Sequence, residues 1–369
     1  MRHGRHRDRP VNRARSFALA AAFAASVALV GGQQKGGLDE TGPYEPVENW
    51  FKPGFDRWAQ PVLGVVADTP DRILVVAGSE GSGRLGSGAI GPAGDILDKT
   101  PARPTRDIPD AEAAQQHHVL VLNGEGKLIE EWTQWNGLID YSHSVAISPY
   151  DRERHVWVVD RGNNQILKFT NDGKTLVMSV GEKGVAGTDQ KHFGAPANIA
   201  FLPDGSFFVA DGYRNSRVVK FDRNGNFLLE WGTRGAGPGE FTLVHSVAVD
   251  GRGRVYVADR GNNRVQVFDD HGKFLDEWRD VRGPSFLTIT NDRSLWVTSG
   301  AGNRLAKFDL NGTLLTYWGA AGQFAGGLTN PHAISVDSAG NLYVADAWSN
   351  RLLKFKPNPG ADRARLIVQ

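Results

Sequence analysis

The sequence predicts an all-β protein folded as a six-bladed β-propeller, and three observations carry that expectation. Apolar, strand-length segments recur at intervals of 40 to 51 residues. The segments are joined by short turns rich in Gly and Asn, which supply the positive-φ positions that tight hairpins need. The 369 residues include 45 Gly, 18 Pro and 10 Trp, without the Ala/Glu/Lys/Leu bias of helical proteins.

The N-terminal segment comes first. Residues 2–15 are rich in arginine, and Phe17 to Val30 is an unbroken, weakly apolar run ending at Gly31-Gly32. This is the layout of an export signal, assigned to residues 1–36. The run is shorter than the roughly 20 residues that span a bilayer, so cleavage is favoured and an uncleaved N-terminal anchor is the alternative. The mature protein is expected to be secreted or periplasmic, with no membrane span. Residues 37–60 read as a linker leading into the propeller (61–369), with one strand beside the junction of the two ends closing the ring.

The blades follow. Residues 61–132 form a degenerate first copy: PVLGVVAD, RILVVAG, HHVLVLN and KLIEEW, with a long Gly/Pro/Ser/Ala-rich loop at 78–117 between its second and third strands. In the other five, Ser144-Val-Ala-Ile, Asn198-Ile-Ala-Phe, Ser246-Val-Ala-Val, Leu287-Thr-Ile-Thr and Ala333-Ile-Ser-Val each lead through a turn to a second strand. Those strands end at Asp160, Asp211, Asp259, Ser299 and Asp346. Residues 245–278 spell one blade in full: HSVAVD, GRGR, VYVAD, RGNN, RVQVFD, DHGK, FLDEW. Trp132, Trp231, Trp278 and Trp318 end four outer strands and read as packing between blades.

Composition excludes several functions. Lys and Arg number 42 against 41 Asp and Glu, and without residues 1–34 the formal charge falls from +1 to −4, which does not suit a nucleic-acid partner. There is no cysteine, hence no disulfide, thiolate metal site or cysteine nucleophile. A metal here must sit on His, Asp or Glu. The expected partner is a small-molecule or peptide substrate, bound by a monomer.

The residue that opens each inner strand lies fourteen positions before the end of the second strand: Ala197, His245, Ser285 and His332 in blades three to six. Blade two has three extra residues in its first turn, and there the opening residue is His143. Histidine therefore occupies blades two, four and six. Inner strands line the channel of a propeller, so alternate blades of six place three imidazoles about 120° apart. Three convergent neutral imidazoles with open coordination positions are the catalytic form of a zinc site. His117, His118, His155, His192 and His271 read as structural.

Because the strands meander, the turn between strands two and three lies on the same face as these histidines. Blades two and four carry Asp-Arg-Gly-Asn-Asn there, with Arg161 and Arg260, whereas blade three inserts Tyr213 in Asp-Gly-Tyr-Arg-Asn-Ser. A tyrosine at this rim is a candidate acid/base group or substrate contact. The 78–117 loop joins the equivalent strands of blade one, so it is expected to cover this face, and it carries Arg84, Arg103 and Arg106.

The stretch HFGAPANIAFLPDGSFFVADGYRNSRVVKFDRNGNFLLEWG at 192–232, followed by PGEFTLVHSVAV, VYVADRGNNRVQVF and the blade-six NPHAISVDSAGNLYVADAWSN, resembles the peptidyl-α-hydroxyglycine α-amidating lyases. These are propellers of NHL repeats, and the resemblance runs from about 61 to 356. It implies zinc held by His143, His245 and His332, with Tyr213 as catalytic base and Arg260 beside it. The implied reaction cleaves a carbinolamide, R-CO-NH-CH(OH)-COOH, into an amide and glyoxylate. Three departures stand out. The family's aspartate after the third histidine, which helps to hold a structural calcium, is Ala333, so calcium is doubtful. The family's carboxylate-binding arginine meets Gly78-Ser79, with Arg84 as a substitute. The family's cysteines are absent. Two alternatives remain open: a lactonase-like metal-dependent propeller hydrolase, and a non-enzymatic NHL-repeat binding scaffold.

Overall fold

Six four-stranded antiparallel sheets make up the expected six-bladed propeller, and five of them meander in sequence from an inner to an outer strand. The computed structural model describes residues 38–55, 58–79 and 116–368. The inner strands are Val62–Thr69, Ser142–Ile147, Asn198–Phe201, Val244–Val249, Pro284–Ile289 and Pro331–Val336. The export signal expected over residues 1–36 lies outside the described residues. So do residues 80–115 of the long loop, including Arg84, Arg103 and Arg106. Among the described residues no helix is long and apolar enough to cross a membrane.

Second strands such as Val156–Asp160 and Val255–Asp259 are buried along their whole length, because neighbouring blades cover both faces. Outer strands alternate between covered and open residues, as in Phe227–Trp231, and there the period-2 pattern survives. The four outer-strand tryptophans pack as expected. Trp132, Trp231, Trp278 and Trp318 meet Phe169, Phe268, Phe308 and Phe355, the third-strand phenylalanines of the following blades, with ring centroids 5.4–5.9 Å apart.

The reading of 37–60 as a linker needs correcting. Tyr44–Pro46 within it is the outer strand of blade six, paired antiparallel with Arg351–Pro357. Blade six thus combines three strands from the C-terminal end of the propeller with one from its N-terminal end. Tyr44 is buried there, and its hydroxyl accepts the Ile367 N–H at 2.8 Å.

The aspartates that end the second strands hold the inner strands in place. Asp160 accepts the Tyr141 N–H, Asp211 that of Gly194, Asp259 that of Thr242, and Asp346 those of Thr329 and Asn330. Each bond fixes the segment that leads into an inner strand. Arg217, Arg264 and Arg351 pair with the second oxygen of Asp211, Asp259 and Asp346, so the buried carboxylates have cationic partners.

Candidate metal centre

The three histidines meet in the channel. His143, His245 and His332 are 2, 1 and 6 % exposed, and their ring centroids form a nearly equilateral triangle with sides of 4.8 to 5.0 Å. Their inner strands all shift register at the histidine, between Ser142 and Ser144, Val244 and Ser246, and Pro331 and Ala333. Such an irregularity re-aims a side chain that regular pleating would send against a neighbouring blade.

Each imidazole is anchored by the next blade. Nδ1 of His143 lies 2.7 Å from the Ala197 carbonyl, that of His245 2.6 Å from the Ser285 carbonyl, and that of His332 2.6 Å from the Leu63 carbonyl. A carbonyl can only accept, so the proton sits on Nδ1 and the Nε2 lone pair turns inward. This accounts for the alternation: blades two, four and six supply rings, while blades three, five and one supply the carbonyls that orient them. Burial holds all three histidines well below the ordinary imidazole value, His332 at about 3, with Arg260 and the neighbouring rings adding to the effect. Three neutral, oriented Nε2 donors that can reach one ion form a site fit for a divalent metal with nitrogen ligands.

Calcium is a different case. Ala333 packs against Val65, Ala67 and Tyr343, so the position next to His332 offers no side-chain oxygen. The residues present there do not fit the family's calcium ligand set.

Tyr213 completes the ring. Its hydroxyl lies 2.9 Å from Nε2 of both His143 and His245. The inserted blade-three turn reaches this point because Gly212 touches the backbone of Val244, where any Cβ would collide. Arg260 NH1 donates to Nε2 of His245 at 3.0 Å, the same nitrogen that the Tyr213 hydroxyl meets. The sequence leaves Arg161 undecided, and the structure places it on the other side, its guanidinium carbon 3.6 Å from the centroid of the Tyr213 ring. The signal that could have found it is its shared Asp-Arg-Gly-Asn-Asn motif with Arg260. The histidines set aside as structural behave differently: His117, His155 and His192 each bond to a carboxylate near the surface.

Comparison with known proteins bears on the fold and the family. Residues 185–279 match a family model described as a six-bladed β-propeller, and residues 328–355 match the NHL repeat. A probable peptidyl-α-hydroxyglycine α-amidating lyase of Caenorhabditis elegans is 32 % identical over 255 residues, covering 64 % of this chain and 69 % of that protein. The chain belongs to the peptidyl-α-hydroxyglycine α-amidating lyase family. The chain is also 31 % identical to peptidyl-glycine α-amidating monooxygenase A of Xenopus laevis, over 68 % of its own length but only 28 % of the frog protein. NHL repeat-containing protein 3 of Mus musculus is 32 % identical, over 65 % of this chain and 72 % of the mouse protein. Among solved structures, a streptogramin B lyase shares the fold at a TM-score of 0.52 and 12 % identity, over 85 % of this chain and 97 % of that one.

Proposed function

We propose that this chain is an exported zinc lyase that cleaves the C–N bond of α-hydroxyglycine-terminated amides, releasing an amide and glyoxylate. The observation that carries the reading is the Tyr213 hydroxyl, 2.9 Å from two of three convergent imidazoles and flanked by two guanidiniums. In this reading His143, His245 and His332 hold the metal through Nε2. The chemistry a zinc ion supplies in such a site is Lewis acidity towards an oxygen ligand.

The chain's own residues do the rest. Tyr213, acting as the phenolate, takes the proton of the substrate hydroxyl and hands it to the departing nitrogen, and Arg260 and Arg161 offset the negative charge that moves through the site. The O–H electron pair becomes the C=O bond of glyoxylate. The C–N pair leaves with nitrogen, which takes up the proton to give the amide. No water and no redox partner enter the balance.

The test is metal analysis of the purified protein together with glyoxylate release from benzoyl-α-hydroxyglycine. About one zinc per chain and metal-dependent glyoxylate are expected. Zinc without glyoxylate would leave the site standing and the reaction wrong. Calcium would favour a lactonase-like hydrolase, and no metal a binding scaffold, a role compatible with the NHL repeat-containing protein 3 relatives.

A further inference from the structure

We infer that Arg161 seats the substrate's carboxylate, making this chain selective for α-hydroxyglycine free acids over their amides and esters. The inference rests on the lyase reading for its substrate, but on separate observations for its residue.

The first observation is an unused guanidinium. Arg217, Arg264 and Arg351 all pair with buried aspartates, and Arg264 also bonds to Glu277 and to three carbonyls. Arg161 has only ring contacts: its guanidinium carbon is 3.6 Å from the Tyr213 centroid and 5.2 Å from that of Tyr141. Among the described residues its side chain makes no hydrogen bond and no ion pair. Stacking engages the face of the guanidinium and leaves its N–H edge free to donate.

The second observation is charge. Arg161 and Arg260 both face the histidine ring, and neither has a carboxylate partner among the described residues. A divalent ion adds to that excess, so a ligand that completes the site brings negative charge. A carboxylate is the anion whose two oxygens match a guanidinium edge.

The third is position. The Arg161 N–H donates to the Tyr141 carbonyl at 2.9 Å, which fixes the turn, and the Tyr141 ring packs on Gly78, where a Cβ would lie 2.6 Å from it. Among the described residues the space beside the blade-one second strand is thus filled from blade two, and the cation there is Arg161. In an α-hydroxy acid the carboxyl and hydroxyl sit on one carbon. A carboxylate on the Arg161 edge therefore brings its hydroxyl towards the oxygen of the tyrosine on which Arg161 is stacked.

The test compares benzoyl-α-hydroxyglycine with its primary amide on wild type, Arg161→Ala, Arg161→Lys and Arg84→Ala. Arg161→Ala should raise KM for the acid about 10- to 100-fold with a smaller change in kcat, and the preference for acid over amide should fall by the same factor. Arg161→Lys, with charge but no fork, should fall between. Loss of the preference in Arg84→Ala with its retention in Arg161→Ala would give the carboxylate to Arg84, the substitute expected from the sequence, and overturn the inference. A residue that only positions Tyr213 would slow both substrates alike. Calorimetric binding of hippurate, which lacks the hydroxyl and cannot react, to the metal-loaded protein gives a readout without turnover. If wild type releases no glyoxylate yet binds hippurate in an Arg161-dependent way, the lyase reading fails and Arg161 keeps its role. Retention of the acid preference in Arg161→Ala overturns the inference. Where there is no turnover, hippurate binding that is the same with and without Arg161 does so too.

Discussion

Nδ1 of His332 bonds to the carbonyl of Leu63 at 2.6 Å, joining blade six to blade one at the place where the ring closes. The same contact links blade two to three and blade four to five, so each imidazole of the candidate metal centre is also a clamp between blades.

His143→Ala, His245→Ala and His332→Ala should each reduce zinc from about one per chain to a small fraction, read by elemental analysis. Each should also cost about 1–3 kcal/mol in urea unfolding, because a buried carbonyl loses its donor. The β-rich circular dichroism spectrum should persist, since Ala197 and Ser285 occupy the equivalent positions in blades three and five.

Tyr213→Phe should keep the metal and the melting temperature, because the ring packs in a cluster with Phe241, Leu243 and Val244 that phenylalanine preserves. Turnover should drop about 10²- to 10⁴-fold, the range for loss of a general base. Wild-type turnover by the Phe variant would remove Tyr213 from the chemistry.

Acid should destabilise the metal-free protein through the three histidines. Their folded values lie below the unfolded imidazole value near 6.5, so below that pH the unfolded chain binds protons the folded one excludes. Their contribution is intact above about pH 6.5 and is lost as the pH falls through their folded values, about 3 for His332. Urea midpoints at pH 7, 6, 5 and 4 in chelator should show this fall. His332→Gln should flatten the slope by about 1.4 kcal/mol per pH unit in that window.

Arg264→Leu should destabilise the protein by about 3–5 kcal/mol, because it strands the fully buried Asp259 carboxylate. Asp259 also fixes Thr242, three residues before His245, so zinc affinity should weaken in the same variant. Equilibrium unfolding and a zinc titration measure the two effects.

The three histidines were legible because the repeat numbers every residue: once the second-strand aspartates are aligned, a departure at one position stands out against its equivalents. Tyr213 was legible as an insertion for the same reason. The carbonyls of Leu63, Ala197 and Ser285 were not, since a backbone acceptor leaves no trace in the identity of its side chain. The resemblance implied Arg260 beside Tyr213, whereas only the structure shows that Arg161, in the same motif, turns towards Tyr213 as well. The closing strand Tyr44–Pro46 is three residues long, too short for periodicity, and its partner lies at the far end of the chain.

That closing strand has a consequence for biogenesis. Glu45 pairs with Lys356, so the innermost contacts of five blades can assemble as the polypeptide emerges, while the sixth sheet waits for a partner made roughly 300 residues later. Until Arg351–Pro357 is made, the outermost strand Tyr44–Pro46 has no partner and presents an open edge of the kind other chains can pair with. Ring closure is therefore a late, all-or-none event. A ribosome-released fragment ending before Arg351 should be prone to aggregate even though it carries His143, His245 and His332.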